Sequence, residues 1–317
     1  MASYNPKMMS MFGQGASMFG MALLDIVKER SDIRVLSSDM STPAGLDKFK
    51  SVYPNMFINM GIAEQNMIGT AAGLADEGFR PICVAQACFL SMRCFEQVRQ
   101  YAGYMKLPLV LVGIGSGFSL SLMGNTHYAI EDIALMRTIP EMQVIAPADS
   151  FEAVKALQTA LNSSRPTYIR LFGGTGIPVV HIEEPAFEIG KSLILKEGTD
   201  VQLVATGSMV NVAMKVADLL DGEGISTSVV DMHTIKPLDT DAISNVVKIV
   251  VTIEEHSIIG GLGNAVGNVM ATCASNHPRL LEIGVNDCYS RVGDYPWLLS
   301  ENGLSAEKIL ETIKLNI

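Results

Sequence analysis

The run Ile58-Asn59-Met60-Gly61-Ile62-Ala63-Glu64-Gln65-Asn66-Met67-Ile68-Gly69 holds one carboxylate, Glu64, among small and apolar side chains. Residues 57–60 read as a short apolar run feeding a helix over 61–74. A carboxyl buried at such a junction is penalised in its charged form, and an acid poised in that way can share a proton with a ligand nitrogen. A second reading needs no ligand: an acid in a first helical turn complements the partial positive charge of the helix N-terminus. The pattern alone leaves both open. Other chemistry-bearing residues are scattered. His127 ends the run Gly124-Asn125-Thr126-His127, Phe89 opens an apolar segment, and Asp39 follows an apolar run, where it also reads as a turn cap. The run Gly260–Gly263 lacks the G-x-G-x-x-G spacing and a suitably placed ribose acid, so it is a weak signal for a nucleotide cradle.

The elements that must position these residues alternate along the chain. Apolar runs at 33–37, 57–60, 81–84, 109–114, 143–146 and 167–171 read as strands. Helical spacing covers 18–29, 61–74, 89–105, 130–138 and 150–162. A Gly/Pro-rich stretch at 172–184 looks like a linker. A second alternation follows, with strands at 201–206, 226–231, 249–254 and 279–283 and helices at 209–220, 239–247, 262–274 and 305–315. Short apolar strands between helices make parallel sheets covered on both faces. The expected fold is α/β, with two doubly wound domains over 1–178 and 190–317.

Composition narrows the function classes. The chain has 317 residues, 48% hydrophobic and 18% charged, enough for two buried cores. Its formal charge of −10 disfavours coating of nucleic acid, which needs a basic face. Five cysteines (Cys83, Cys88, Cys94, Cys273 and Cys288) include no C-x-x-C pair and read as reduced thiols. No secretory leader is evident. Residues 107–130 lack charge, but the glycines and polar residues within them point to a strand and loop and not to a membrane span. A cytoplasmic protein is expected.

Residues 57–75 closely resemble the signature of the pyrimidine-binding domain of transketolases and 1-deoxyxylulose-5-phosphate synthases. The resemblance extends over essentially the whole chain. It implies thiamine diphosphate as cofactor, with the carboxyl of Glu64 on N1′ of its aminopyrimidine, promoting the tautomer whose nitrogen deprotonates C2 of the thiazolium. It further implies Phe89 stacked on the pyrimidine, His127 as the active-site histidine, and Asp39 and Ile62 near the cofactor. The segments 207–210, 232–239 and 254–263 resemble the family's C-terminal domain, which serves subunit contacts, so His233 and His256 are expected to be structural.

Two departures qualify the resemblance. The chain has no Gly-Asp-Gly, the mark of the family's diphosphate domain. It therefore resembles the C-terminal subunit of a split transketolase, with the diphosphate and Mg²⁺ held mainly by a separate subunit. A homodimer of this chain within an α2β2 assembly is expected, and the chain alone should hold the cofactor weakly. The family's sugar and phosphate ligands fall on Met18, Gly115, Met123 and Gly173, leaving Arg93 and Arg170 as nearby cations. The expected activity is transfer of a two-carbon ketol unit from a ketose (phosphate) to an aldose (phosphate). Two alternatives remain open: a β subunit of a 2-oxoacid dehydrogenase, and a non-catalytic assembly partner.

Overall fold

The computed structural model describes residues 7, 9, 11, 18–174, 178–244, 246–272 and 277–317. Its strands, in chain order, are β1 (Ile33–Ser37), β2 (Phe57–Asn59), β3 (Arg80–Gln86), β4 (Val110–Ile114), β5 (Gln143–Ile145), β6 (Thr167–Leu171), β7 (Leu193–Lys196), β8 (Val201–Ala205), β9 (Thr227–Asp231), β10 (Thr234–Lys236), β11 (Ile249–Ser257) and β12 (Arg279–Val285). They form a seven-stranded sheet in the order β10-β5-β6-β4-β3-β1-β2 and a five-stranded sheet in the order β12-β11-β8-β9-β7. Only β10 against β5 and β7 against β9 run antiparallel. The central strands β4 and β8 are buried along their whole length, as continuous apolar strands between two helical layers must be. The expected α/β class with mostly parallel sheets is observed.

The first sheet places the site. From β1 the chain goes to β2 on one side, then crosses to β3 on the other. Strand order therefore reverses between β1 and β3. In open α/β sheets ligands settle in the crevice at the carboxyl ends of strands flanking such a reversal. Asp39 lies just beyond β1, Glu64 beyond β2 and Phe89 beyond β3.

Several elements differ from expectation. The helix expected over 89–105 is broken into a π-helix (Phe89–Arg93), one α-turn (Phe95–Val98) and a second π-helix (Arg99–Tyr104). Side chains compete for its carbonyls: Ser91 Oγ donates to Ala87 O at 2.7 Å, and Cys94 Sγ to Leu90 O at 3.0 Å. The helix expected over 239–247 shrinks to a 3-10 turn, Thr240–Ala242. Gln202 of β8 takes its backbone groups instead, donating to Ala242 O (3.0 Å) and accepting from Ser244 N–H (2.9 Å). The two halves are not separate sheets either. β10 comes from the second half of the chain and pairs with β5, Thr234 opposite Ile145 and Lys236 opposite Val144. Lys236 Nζ then caps carbonyls at the end of helix Asp132–Thr138, reaching Arg137 O at 2.9 Å.

Cys83, Cys88 and Cys94 are buried free thiols and Cys288 an exposed one; Cys273 lies outside the described residues. Burial pushes Cys88 and Cys94 up to about 12, so both stay protonated. Residues 110–114 of the uncharged stretch form β4, and no helix among the described residues is long and apolar enough to cross a membrane.

Candidate active site

Glu64 opens the helix Glu64–Asp76, and its residue is only 2% exposed. The turn that delivers it is built by Asn59 at the end of β2. Its side-chain Oδ1 accepts from Gly61 N–H (3.0 Å) and Asp39 N–H (3.2 Å), while Nδ2 donates to Asp39 Oδ1 (3.3 Å). Gly61 has φ of 70° and Asp39 of 55°, so both residues take left-handed turns that this amide stabilises. Asp39 is thereby bound to the β2 turn and exposed, and no hydrogen bond joins its side chain to Glu64 among the described residues.

Glu64 is not alone in its pocket. Arg93 Nη1 donates to Glu64 Oε2 at 2.8 Å, and the Arg93 guanidinium lies 4.0 Å from the centre of the Phe89 ring. The sequence left Arg93 as a candidate phosphate cation; the structure puts it on Glu64. The other carboxyl oxygen, Oε1, makes no hydrogen bond among the described residues. Phe89 in turn meets the imidazole of His127 edge-on, with ring centres 5.3 Å apart. Glu64, Arg93, Phe89 and His127 thus form one continuous chain of contacts. The break into π-helix that begins at Phe89 sets this face, a distortion frequent at functional sites.

His127 sits on a loop pinned from three directions. At its base Gly117 and Ala129 exchange backbone hydrogen bonds at 2.9 and 3.1 Å. Glu255, from β11 of the other sheet, accepts from Phe118 N–H (2.6 Å), Ser208 Oγ (2.5 Å) and Tyr295 OH (2.8 Å). Burial pushes Glu255 up, while the Ser208 hydroxyl, Arg170 and other donors hold it down. Arg170 donates to Ala129 O (2.9 Å) and Glu255 O (2.8 Å) and pairs with Asp132 at 2.9 Å. At the tip, Asn125 Nδ2 donates to Ser290 O at 2.7 Å. His127 Nδ1 lies 2.9 Å from Thr126 Oγ1.

Arg170 is therefore not a phosphate ligand: it is 3% exposed and fully engaged in a buried ion pair. Met18 is 0% exposed and part of the apolar core below β1. Gly115 and Gly173 face each other at the ends of β4 and β6, where a Cβ on Gly173 would come within 3.1 Å of Gly115 Cα. Met123 and Ile62 are exposed, Ile62 at 76%. His233 and His256 are buried away from the site. His233 stacks on Phe187, and His256 Nε2 accepts from Ala134 N–H. Sequence reasoning missed Arg93 as a partner of Glu64, and missed Glu255 and Asn125 as supports of the His127 loop. The contacts span 29 residues for Arg93 and 137 for Glu255, beyond any local pattern.

Comparison with known proteins agrees with this architecture. Residues 14–172 match the model of the transketolase pyrimidine-binding domain and residues 190–309 that of the transketolase C-terminal domain. A Methanocaldococcus jannaschii protein named a "transketolase C-terminal section" is 40% identical over 93% of both chains. A 6-deoxy-6-sulfo-D-fructose transketolase subunit of Clostridium sp. (strain MSTE9) is 37% identical over 91% of this chain and 89% of its own. The solved structure of a split-gene transketolase, titled as an inactive beta4 tetramer, superposes with a TM-score of 0.84 at 37% identity, covering 94% of this chain and 95% of that one. The chain belongs to the transketolase family and corresponds to the C-terminal section of a split transketolase.

Proposed function

We propose that this chain is the pyrimidine-side subunit of a thiamine-diphosphate transketolase that moves a two-carbon ketol unit from a ketose (phosphate) to an aldose (phosphate). In this reading residues 1–178 bind the aminopyrimidine and residues 190–317 serve subunit contacts. A separate subunit holds the diphosphate and Mg²⁺, within an α2β2 assembly built on a dimer of this chain. Two relatives of matching length named as a section or a subunit support a partner, as do the exposed apolar side chains Ile62, Met92, Leu122 and Met123 near the site.

The observation that carries the reading is a buried carboxyl with one open oxygen beside a half-buried aromatic ring, at the reversal point of a parallel sheet. That combination fits a flat, nitrogen-bearing ring: a face for stacking and an acceptor at its edge. Once bound, thiamine diphosphate supplies an electron sink. The chain supplies the rest. Glu64 Oε1 would hold a proton shared with the ring nitrogen N1′. Arg93 fixes the second oxygen, so the carboxyl cannot rotate away. Phe89 would support the ring face, and Asp39 and Ile62 would border the cofactor. His127, on its pinned loop, offers an imidazole to charge developing on the substrate oxygen. The test is to co-purify the chain with its diphosphate-binding partner and measure cofactor binding and ketol transfer, with Glu64→Ala as the control that must lose the activity.

A further inference from the structure

Away from the Glu64 site, three buried side chains from three parts of the chain converge. Glu152 lies in the first turn of helix Ser150–Asn162, His181 in the segment joining the two halves, and Asp231 at the end of β9. Their donor atoms all lie within 4.8 Å of one another. His181 Nε2 is 3.2 Å from Glu152 Oε1 and 3.4 Å from Asp231 Oδ2. The edge of a tetrahedron with metal–ligand bonds of about 2.0–2.1 Å is about 3.3–3.4 Å, close to these two separations.

The cluster brings two buried acids to a single imidazole nitrogen. Asp231 is 0% exposed, and neither of its carboxyl oxygens has a hydrogen-bond partner. One imidazole nitrogen faces both acids, and a single N–H cannot hydrogen-bond fully to two carboxyl groups. The surroundings are already arranged as supports. Ala148 N–H donates to Glu152 Oε2 at 2.7 Å, and Asp149 Oδ2 accepts from His181 N–H at 3.0 Å and Val180 N–H at 2.9 Å. Such outer contacts orient ligands in metal sites.

We infer that Glu152, His181 and Asp231 form a binding site for one divalent ion of the zinc class, tying the first half, the connecting segment and the second half together. One nitrogen and two carboxylate oxygens suit Zn²⁺ or Co²⁺, with two carboxylates balancing the charge of the ion. None of the three ligands contacts Glu64, Phe89 or His127 among the described residues, so the site is structural and its existence is independent of the activity proposed above.

The test uses the full chain, stripped with chelator and then equilibrated with excess Zn²⁺ or Co²⁺ before gel filtration. The expected result is one Zn²⁺ per chain by elemental analysis. Co²⁺ should give the intense visible bands of a four-coordinate site, and the thermal midpoint should rise by several degrees on metal addition. His181→Gln and Asp231→Asn should each lose the ion and the spectrum. Substoichiometric metal in the wild-type chain, with no shift in midpoint, overturns the inference. So does stoichiometric metal that both variants retain, since the ion would then sit elsewhere. Should either variant fail to fold, the wild-type stoichiometry and cobalt spectrum still decide the matter.

Discussion

At the scale of single residues, the pair Glu64–Arg93 leaves a buried acid with one oxygen paired and one open. A buried carboxylate demands a partner, and Arg93 is that partner at 2.8 Å, yet it occupies only one oxygen. Because the Arg93 side chain is 43% exposed, the pair contributes little to stability. Its value lies in orientation. In the assembled enzyme, Arg93→Met should lower kcat by roughly 10- to 100-fold, about the 1.5–3 kcal/mol expected of one hydrogen bond to a charged group. Its thermal midpoint should barely move. Steady-state kinetics beside a thermal melt checks this; unchanged kcat would mean that Arg93 only covers the site. Glu64, Phe89 and His127 were legible in the sequence because a strand-to-helix junction and a Gly-rich loop are local patterns. Arg93 was not, since nothing local distinguishes a cation that turns back 29 residues from one that faces solvent.

At the scale of elements, the loop 117–129 shows how the second half of the chain supports the site in the first. Strands and helices with clear hydrophobic periods were legible: β4, β8 and the helix Met209–Gly222 lie where the pattern puts them. Elements decided by distant side chains were not. β10 is three residues long and owes its place to pairing with β5, and Gln202 dissolves the helix expected over 239–247. Glu255 belongs to the same class. Gly117 has φ of 56°, and a Cβ there would run into the Glu255 carboxyl. Gly117→Ala should therefore shift the loop and lower kcat/KM by roughly 10- to 100-fold, while the unfolding free energy measured in urea falls by about 1–3 kcal/mol, typical of such backbone strain. The discriminating measurement is activity against stability. Equal loss in a control destabilised elsewhere to the same extent would show that loop position is immaterial.

At the scale of the whole molecule, the two sheets are joined through buried polar groups, and acid should loosen that joint. His256 of β11 accepts from Ala134 N–H at 3.3 Å and donates from Nδ1 to Ser257 O at 2.7 Å, a neutral imidazole bridging the halves. Burial lowers it from 6.5 to about 4. A folded value below the unfolded one means stability that is present above pH 6.5 and lost as pH falls towards 4. About 2.5 units correspond to roughly 3 kcal/mol. Glu254, 3.7 Å away and pushed up to about 7 by burial, acts in the opposite sense, so the comparison must be with a variant. Between pH 7 and 4.5, wild type should lose more stability to urea than His256→Gln. An equal loss in both would exclude the imidazole as the source.

In the proposed division of labour, this chain's net charge of −10 leaves the cations for an anionic cofactor to the second subunit. The central claim is that Glu64 shares a proton with the cofactor ring, and it is tested most directly by ketol transfer in the co-purified two-subunit enzyme carrying Glu64→Ala. A positioned acid contributes about 10²- to 10⁴-fold, so activity should fall by that factor while assembly and thermal midpoint stay near wild type. Full activity in a correctly assembled Glu64→Ala enzyme would contradict the account.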